Sequence, residues 1–103
     1  MIILLDPPDM ALFSGTASDV SPSSNVALTC TSTGGDPPPT VLISKNGVEV
    51  ESGPSPLTHS FATEILDDGA EFLCNASNSA GEATDLRILT VSGIETLLSI
   101  PKN

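Results

Sequence analysis

Short segments in which apolar and polar residues alternate recur along this chain, and turn-forming residues separate them. Alternation places successive side chains on opposite faces of a β-strand, whereas a surface helix repeats its apolar residues every three or four positions. The helical period is hard to find in this sequence. The pattern therefore predicts an all-β protein, built as a sandwich or barrel of antiparallel strands.

Two of the alternating segments contain the only two cysteines of the chain. In NVALTC, Leu28 shares a strand face with Cys30, and in AEFLCNAS, Phe72 shares a face with Cys74. These faces are apolar, so both cysteines belong to the inward sides of their strands. We expect the two thiols to meet across the core of the fold.

The segment PPPTVLISKNGVEVE predicts a hairpin. Its prolines form a rigid entry, and Val41 and Ile43 fall on the inward face of the strand that follows. The pair Asn46-Gly47 is typical of a tight turn between two antiparallel strands.

The segment LTHSFATEI predicts a further strand, with Leu57, Phe61 and Ile65 at even spacing. The only histidine, His59, is in phase with them. No cysteine or carboxylate motif stands beside His59 as a base or metal ligand, so we interpret it as a strand residue near the rim of the fold.

Composition narrows the classes of function. The 103 residues suit one domain, and 13 acidic against 3 basic residues give a formal net charge of −10. Such a charge repels the phosphates of nucleic acids and anionic lipids. No phosphate-binding glycine loop, zinc spacing or nucleophile motif is present. We therefore expect no enzyme activity, no cofactor, no metal ion and no nucleic-acid partner.

The two cysteines also suit an oxidising compartment. The opening MIILLDPPDM is too short to cross a bilayer and lacks the basic start of a signal peptide. We expect a fragment of a longer secreted or membrane protein that does not itself insert into the membrane. Residues 1–8 are interpreted as a lead or linker, 9–92 as the domain and 93–103 as a C-terminal linker.

The order of these features resembles the immunoglobulin superfamily. A cysteine on an early strand is followed by the turn KNG and by an acid-glycine-aromatic run that ends on a late cysteine, over about Asp9 to Ser92. The resemblance implies a two-sheet antiparallel sandwich with a Cys30–Cys74 disulfide between the sheets. Ile43 stands where the family usually has tryptophan, and Phe72 replaces the usual corner tyrosine.

The run from Asp67 to Cys74 is similar to the D-x-G-x-x-F-x-C pattern of the intercellular adhesion molecule subfamily, whose domains often lack the tryptophan. This similarity implies a role in cell adhesion. Muscle-type intracellular domains and the repeat domains of receptors use the same cysteine frame, so they stay open as alternatives.

Integrin-binding members of that subfamily present an acid in a short segment, and Glu95 in GIET is a weak candidate for such an acid. Family members carry the acid near the end of the third strand, where residues 44–47 of this chain contain Lys45 and no acid. A solvated linker acid is the simpler interpretation of Glu95.

The tripeptide Asn75-Ala76-Ser77 is an N-glycosylation sequon directly after the inward Cys74. Alternation turns Asn75 outward, which suits a glycoprotein. The alternative is a chance match, since the chain is rich in serine.

The sequence thus predicts an extracellular, cell-surface adhesion or recognition module. It would bind a protein ligand, or a like domain on another cell, through a sheet face or the end loops, and the sheet that carries Lys45 and Asn75 is the expected face. The alternative is a structural spacer in a receptor or intracellular scaffold, with no ligand of its own. Exposed apolar residues on one sheet would favour recognition, and two polar faces would favour the spacer.

Overall fold

The computed structural model describes residues 5–92. Seven strands follow one another in the order β1 (Met10–Ser14), β2 (Asn25–Thr33), β3 (Thr40–Lys45), β4 (Val48–Pro54), β5 (Leu57–Ala62), β6 (Glu71–Asn78) and β7 (Gly81–Ile88). They form a three-stranded sheet, β1-β2-β5, and a four-stranded sheet, β4-β3-β6-β7, in which all neighbours are antiparallel. The predicted two-sheet antiparallel sandwich is confirmed.

The core lies between the two sheets and is formed by the inward residues of the alternating segments. Leu28, Ile43 and Phe72 are fully buried there. The ring of Phe61 stacks on that of Phe72, with centroids 5.1 Å apart. Aliphatic side chains fill most of the remaining interior, so packing rests on close contact among small branched residues.

A disulfide between Cys30 on β2 and Cys74 on β6 joins the two sheets at the centre of the core, with the Cα atoms 5.8 Å apart. This confirms the predicted bridge. Ile43 is the direct cross-strand partner of Cys74, so an aliphatic side chain occupies the place beside the bridge. By chain entropy, closing a loop of this length stabilises the fold by about 4 kcal/mol.

The predicted hairpin joins β3 to β4. Asn46 and Gly47 both have positive φ, 50° and 85°, which is the backbone of a type I′ turn. The register between β3 and β4 shifts between Ile43 and Ser44, so β4 is bent at its middle.

The prediction that Ile65 continues the alternation of the fifth strand is wrong. β5 ends at Ala62, and Ile65 begins a short 3₁₀ helix, Ile65–Asp67, where its side chain is exposed. The carboxylate of Asp67 accepts a hydrogen bond of 2.9 Å from the backbone N–H of Glu64. This local bond stabilises a turn at the position where the pattern predicted extended chain.

We expect Ile43→Ala to lower the free energy of unfolding by about 2–5 kcal/mol, because it leaves a cavity beside the disulfide. Ile88→Ala is the matched control, since Ile88 lies on the same sheet but faces outward, and its loss should cost about 0.5 kcal/mol or less. Denaturant unfolding of both variants measures the difference. Equal shifts of the two midpoints would contradict this account of the core.

Candidate protein-binding surface

The outer face of the four-stranded sheet carries a group of apolar side chains that we call the apolar strip: Leu42, Leu73, Leu86 and Ile88. Leu73 on β6 and Leu86 on β7 are direct cross-strand partners, and Ile88 is the next outward residue of β7. Leu86 and Ile88 are 54% and 40% exposed. Apolar surface of this kind, on a sheet face, is available for contact with another molecule.

Three acids surround the apolar strip. Glu71 is the cross-strand partner of Ile88, Glu49 is that of Ser44, and Glu82 lies near the other end of β7. Within the span 5–92 the ion pair is Lys45–Asp67, and the other acid–base contact is His59–Glu51, so none of these three acids pairs with a described residue. The strip is therefore an apolar group whose rim carries acids that are unpaired within that span.

The outer face of the three-stranded sheet is different. Its large apolar residues, Met10 and Leu12, are exposed, but their cross-strand partners are Thr33 and Thr31. The other outward residues of this face are small and uncharged: Ser14, Asn25, Ala27, Thr29, Thr58, Ser60 and Ala62. This face thus has two isolated apolar side chains among threonine and serine, without a continuous apolar group or a charged rim.

Asp85 and Arg87, on the inward side of β7, bind the outer edge of β1. Asp85 Oδ2 accepts a hydrogen bond of 2.8 Å from the N–H of Phe13. The Arg87 guanidinium donates to the carbonyls of Phe13 and Gly15 at 2.9 and 3.0 Å. The alternating pattern did not single out either residue, although charges at two successive inward positions of a strand are a signal that could have found them.

Lys45 does not lie on the outer face with Asn75, which corrects the expected composition of the binding face. Lys45 is opposite Phe72 in the inward register, and its Nζ donates to Asp67 Oδ1 at 2.6 Å. This hydrogen bond is the main reason that the pKa of Asp67 is lowered. The Lys45 ammonium is therefore paired with Asp67 and does not lie among the side chains of the apolar strip.

Two acids of the DDGAEF run, Asp67 and Asp68, serve the fold. Asp68 Oδ1 accepts a hydrogen bond from the N–H of Val91 at 2.9 Å, so it attaches the segment after β7 to the corner before β6. Among the described residues no group of three or more histidine, cysteine or acidic side chains could hold a metal ion.

The remaining candidates take different places. Asn75 is half-buried at the centre of the outer face, between Leu42 and Thr84 of the neighbouring strands. Glu95 lies outside the described residues. His59 is half-buried, its ring stacks on Phe61 with centroids 5.4 Å apart, and its Nδ1 lies 3.3 Å from a carboxylate oxygen of Glu51. No helix formed by residues 5–92 is long and apolar enough to cross a membrane.

The Lys45–Asp67 pair makes a prediction about pH. The folded-state pKa of Asp67 is lowered, so the pair stabilises the protein above the unfolded pKa, about 4, and this stability is lost as the pH falls through the folded pKa. Lys45→Met should cost about 1 kcal/mol at neutral pH, and less in acid. Urea unfolding at several pH values, in a double-mutant cycle with Asp67→Asn, measures the coupling. A coupling that does not change with pH would contradict this assignment.

Comparisons with known proteins agree with this architecture. A chain in the crystal structure of the titin M10–obscurin-like 1 Ig complex is similar to this chain at 25% identity and a TM-score of 0.58, over 82% of this chain and 94% of that one. No curated protein matches the sequence. These comparisons do not support the intercellular adhesion molecule subfamily. The family model for the immunoglobulin domain matches residues 11–91, so the chain belongs to the immunoglobulin domain family.

Proposed function

We propose that this domain is a protein-recognition module that binds its partner through the outer face of the four-stranded sheet. The apolar strip is the observation that carries the proposal, because Leu86 and Ile88 remain exposed beside Leu73. A spacer domain needs no such group, and two polar faces would serve it better.

The charge of the surface indicates what kind of partner fits. The chain has a formal net charge of −10, and Glu49, Glu71 and Glu82 on the rim have no ion-pair partner in the described structure. A partner with a basic surface around an apolar centre is therefore complementary. Rim charges of this kind increase the association rate more than they slow dissociation.

The compartment that we propose is extracellular, on a cell-surface protein with an adhesion or recognition role. The inter-sheet disulfide supports it, since such bonds persist mainly in oxidising environments. The outward position of Asn75 within its sequon also supports it. A glycan there would cover the centre of the outer face and leave the β7 side of the strip for binding.

A second candidate is a recognition or spacer domain of an intracellular scaffold. The similarity to a chain of the titin M10–obscurin-like 1 Ig complex favours it, because that neighbour is an intracellular Ig domain of the titin/obscurin-like kind. That relative takes part in a complex, which is in keeping with protein recognition in either compartment.

The state of the cysteines separates the two compartments. We expect protein isolated from its native source under alkylating, denaturing conditions to show no mass increase until it is reduced, because Cys30 and Cys74 are joined. Two alkylated thiols before reduction would favour the intracellular candidate and count against the cell-surface one.

The binding face is tested with a double variant. We expect Leu86→Ser with Ile88→Ser to weaken binding at least about tenfold, because each exposed side chain contributes apolar area to the contact. The matched control is Met10→Ser with Leu12→Ser, which removes two apolar residues that are 53% and 54% exposed on the other sheet.

Binding is measured on immobilised domain against purified receptor ectodomains and against the domain itself, at low and high salt. Raising salt should slow association while dissociation changes little. Binding that depends on Met10 and Leu12 instead would overturn the choice of face. A folded domain that binds none of the panel would favour the spacer.

A further inference from the structure

The sandwich has four edge strands, and two of them are protected against pairing with another strand. At β1, Asp85 and Arg87 occupy the outer backbone groups of Phe13 and Gly15. β4 is bent by its register shift and ends at Pro54. β5 has no covering group among the described residues, but its outward side chains, Thr58, Ser60 and Ala62, are small and offer an added strand little apolar surface. Prolines, bends and covering groups are common means of blocking an edge.

The fourth edge strand, β7, has an open edge. Leu89, just after β7, exchanges backbone hydrogen bonds with Gly69 and Ala70 on the β6 side at 2.7 and 2.8 Å. Thr90 bonds in the opposite direction, to Ala17 and Val20. Because backbone groups alternate in direction along a strand, those of Glu82, Thr84, Leu86 and Ile88 point away from β6.

The segment 17–20 covers this edge only beside Thr90. Along 82–88 no described residue pairs with the outward backbone groups of β7. The β6–β7 ladder runs without a register shift from Glu71–Ile88 to Asn78–Gly81, and β7 contains no proline. Four residues whose outward N–H and C=O groups have no partner in the described part of the chain therefore line one edge.

The side chains beside this edge are those of the apolar strip. Leu86 and Ile88 are exposed on β7 itself, so an added strand would place apolar residues against them while pairing with the backbone. Glu82 lies at one end of the open stretch, and Glu71 is beside Ile88 at the other end. Both ends thus carry a negative charge that no residue within 5–92 pairs with.

We propose that the open edge of β7 accepts an extended segment of another protein as an added antiparallel strand, with apolar residues at alternate positions and a lysine or arginine at each end. The inference rests on the proposed function, since it names the partner segment for the same face. A second copy of this chain fits less well, because it brings another net charge of −10 and no free basic residue from its described part.

The first test uses synthetic peptides as probes. The reference peptide alternates valine and threonine and has a lysine at each end. In an antiparallel pair, residues that lie opposite each other on one face point their backbone groups toward each other or both away. Valines that lie opposite Leu86 and Ile88 would therefore point their N–H groups toward β7. N-methylation of the valines removes those donors, and N-methylation of the threonines is the matched control.

We expect the reference peptide to slow amide exchange at Thr84, Leu86 and Ile88. The peptide with N-methylated valines should bind at least about tenfold more weakly than the peptide with N-methylated threonines. Replacing the terminal lysines by glutamates should weaken binding at least about tenfold. Equal affinity of the two methylated peptides would overturn strand addition. Equal affinity of the lysine and glutamate peptides would overturn the basic ends.

The second test separates the edge from the face. Thr84→Pro removes an N–H that points to solvent and leaves the β6–β7 ladder intact, whereas Leu86→Ser changes only the face. We expect both variants to lose peptide binding, with circular dichroism to verify folding. If Thr84→Pro does not fold, the methylated peptides decide.

Peptide binding that survives in Thr84→Pro but is lost in Leu86→Ser would overturn the added strand and leave the proposed binding face standing. Receptor ectodomains that bind both variants as tightly as the unmodified domain would count against the proposed function itself. Sedimentation equilibrium of the protein alone tests whether a second copy of this chain binds to it instead. A dimer that the peptide does not dissociate but that Thr84→Pro disrupts would assign this edge to a second copy and overturn the proposal.

Discussion

The bond between Cys30 and Cys74 is the constraint on which the rest of the structure depends. Both residues must point inward for the sulfur atoms to meet, and a slip of one residue would turn every side chain of a strand to the opposite face. The bridge thus fixes which residues of β2 and β6 face solvent as well as which are buried. Leu73 and Asn75 are outward because Cys74 between them is held inward.

Both described basic residues bind groups of the fold itself, and this determines the charge that the surface presents. Lys45 is bound to Asp67, and Arg87 is bound to backbone carbonyls of β1, so both positive charges stabilise the fold. What remains on the outer face of the four-stranded sheet is acidic along the rim and apolar on the β7 side. The proposed recognition of basic, apolar segments follows from this distribution more than from any single side chain.

Local pattern was sufficient to predict the two cysteine-bearing strands, the hairpin at Asn46-Gly47, the inward phase of the cysteines and the place of Ile43, because period-two alternation reports directly on burial. It failed at Ile65, where a hydrogen bond between Asp67 and Glu64 stabilises a turn. The Asp85–Phe13 contact joins residues 72 positions apart, and only the assembled sheets bring them together. The apolar strip was equally hidden, since it depends on which strands are neighbours.

The replacement of the usual tryptophan and tyrosine by Ile43 and Phe72 has an optical consequence. The chain contains no tryptophan and no tyrosine, so three phenylalanines and one disulfide are its only near-ultraviolet chromophores. The native protein therefore has no intrinsic fluorescence at the emission wavelengths of indole. Any single indole placed on its surface would be the sole emitter, and its signal would report on that one location without background.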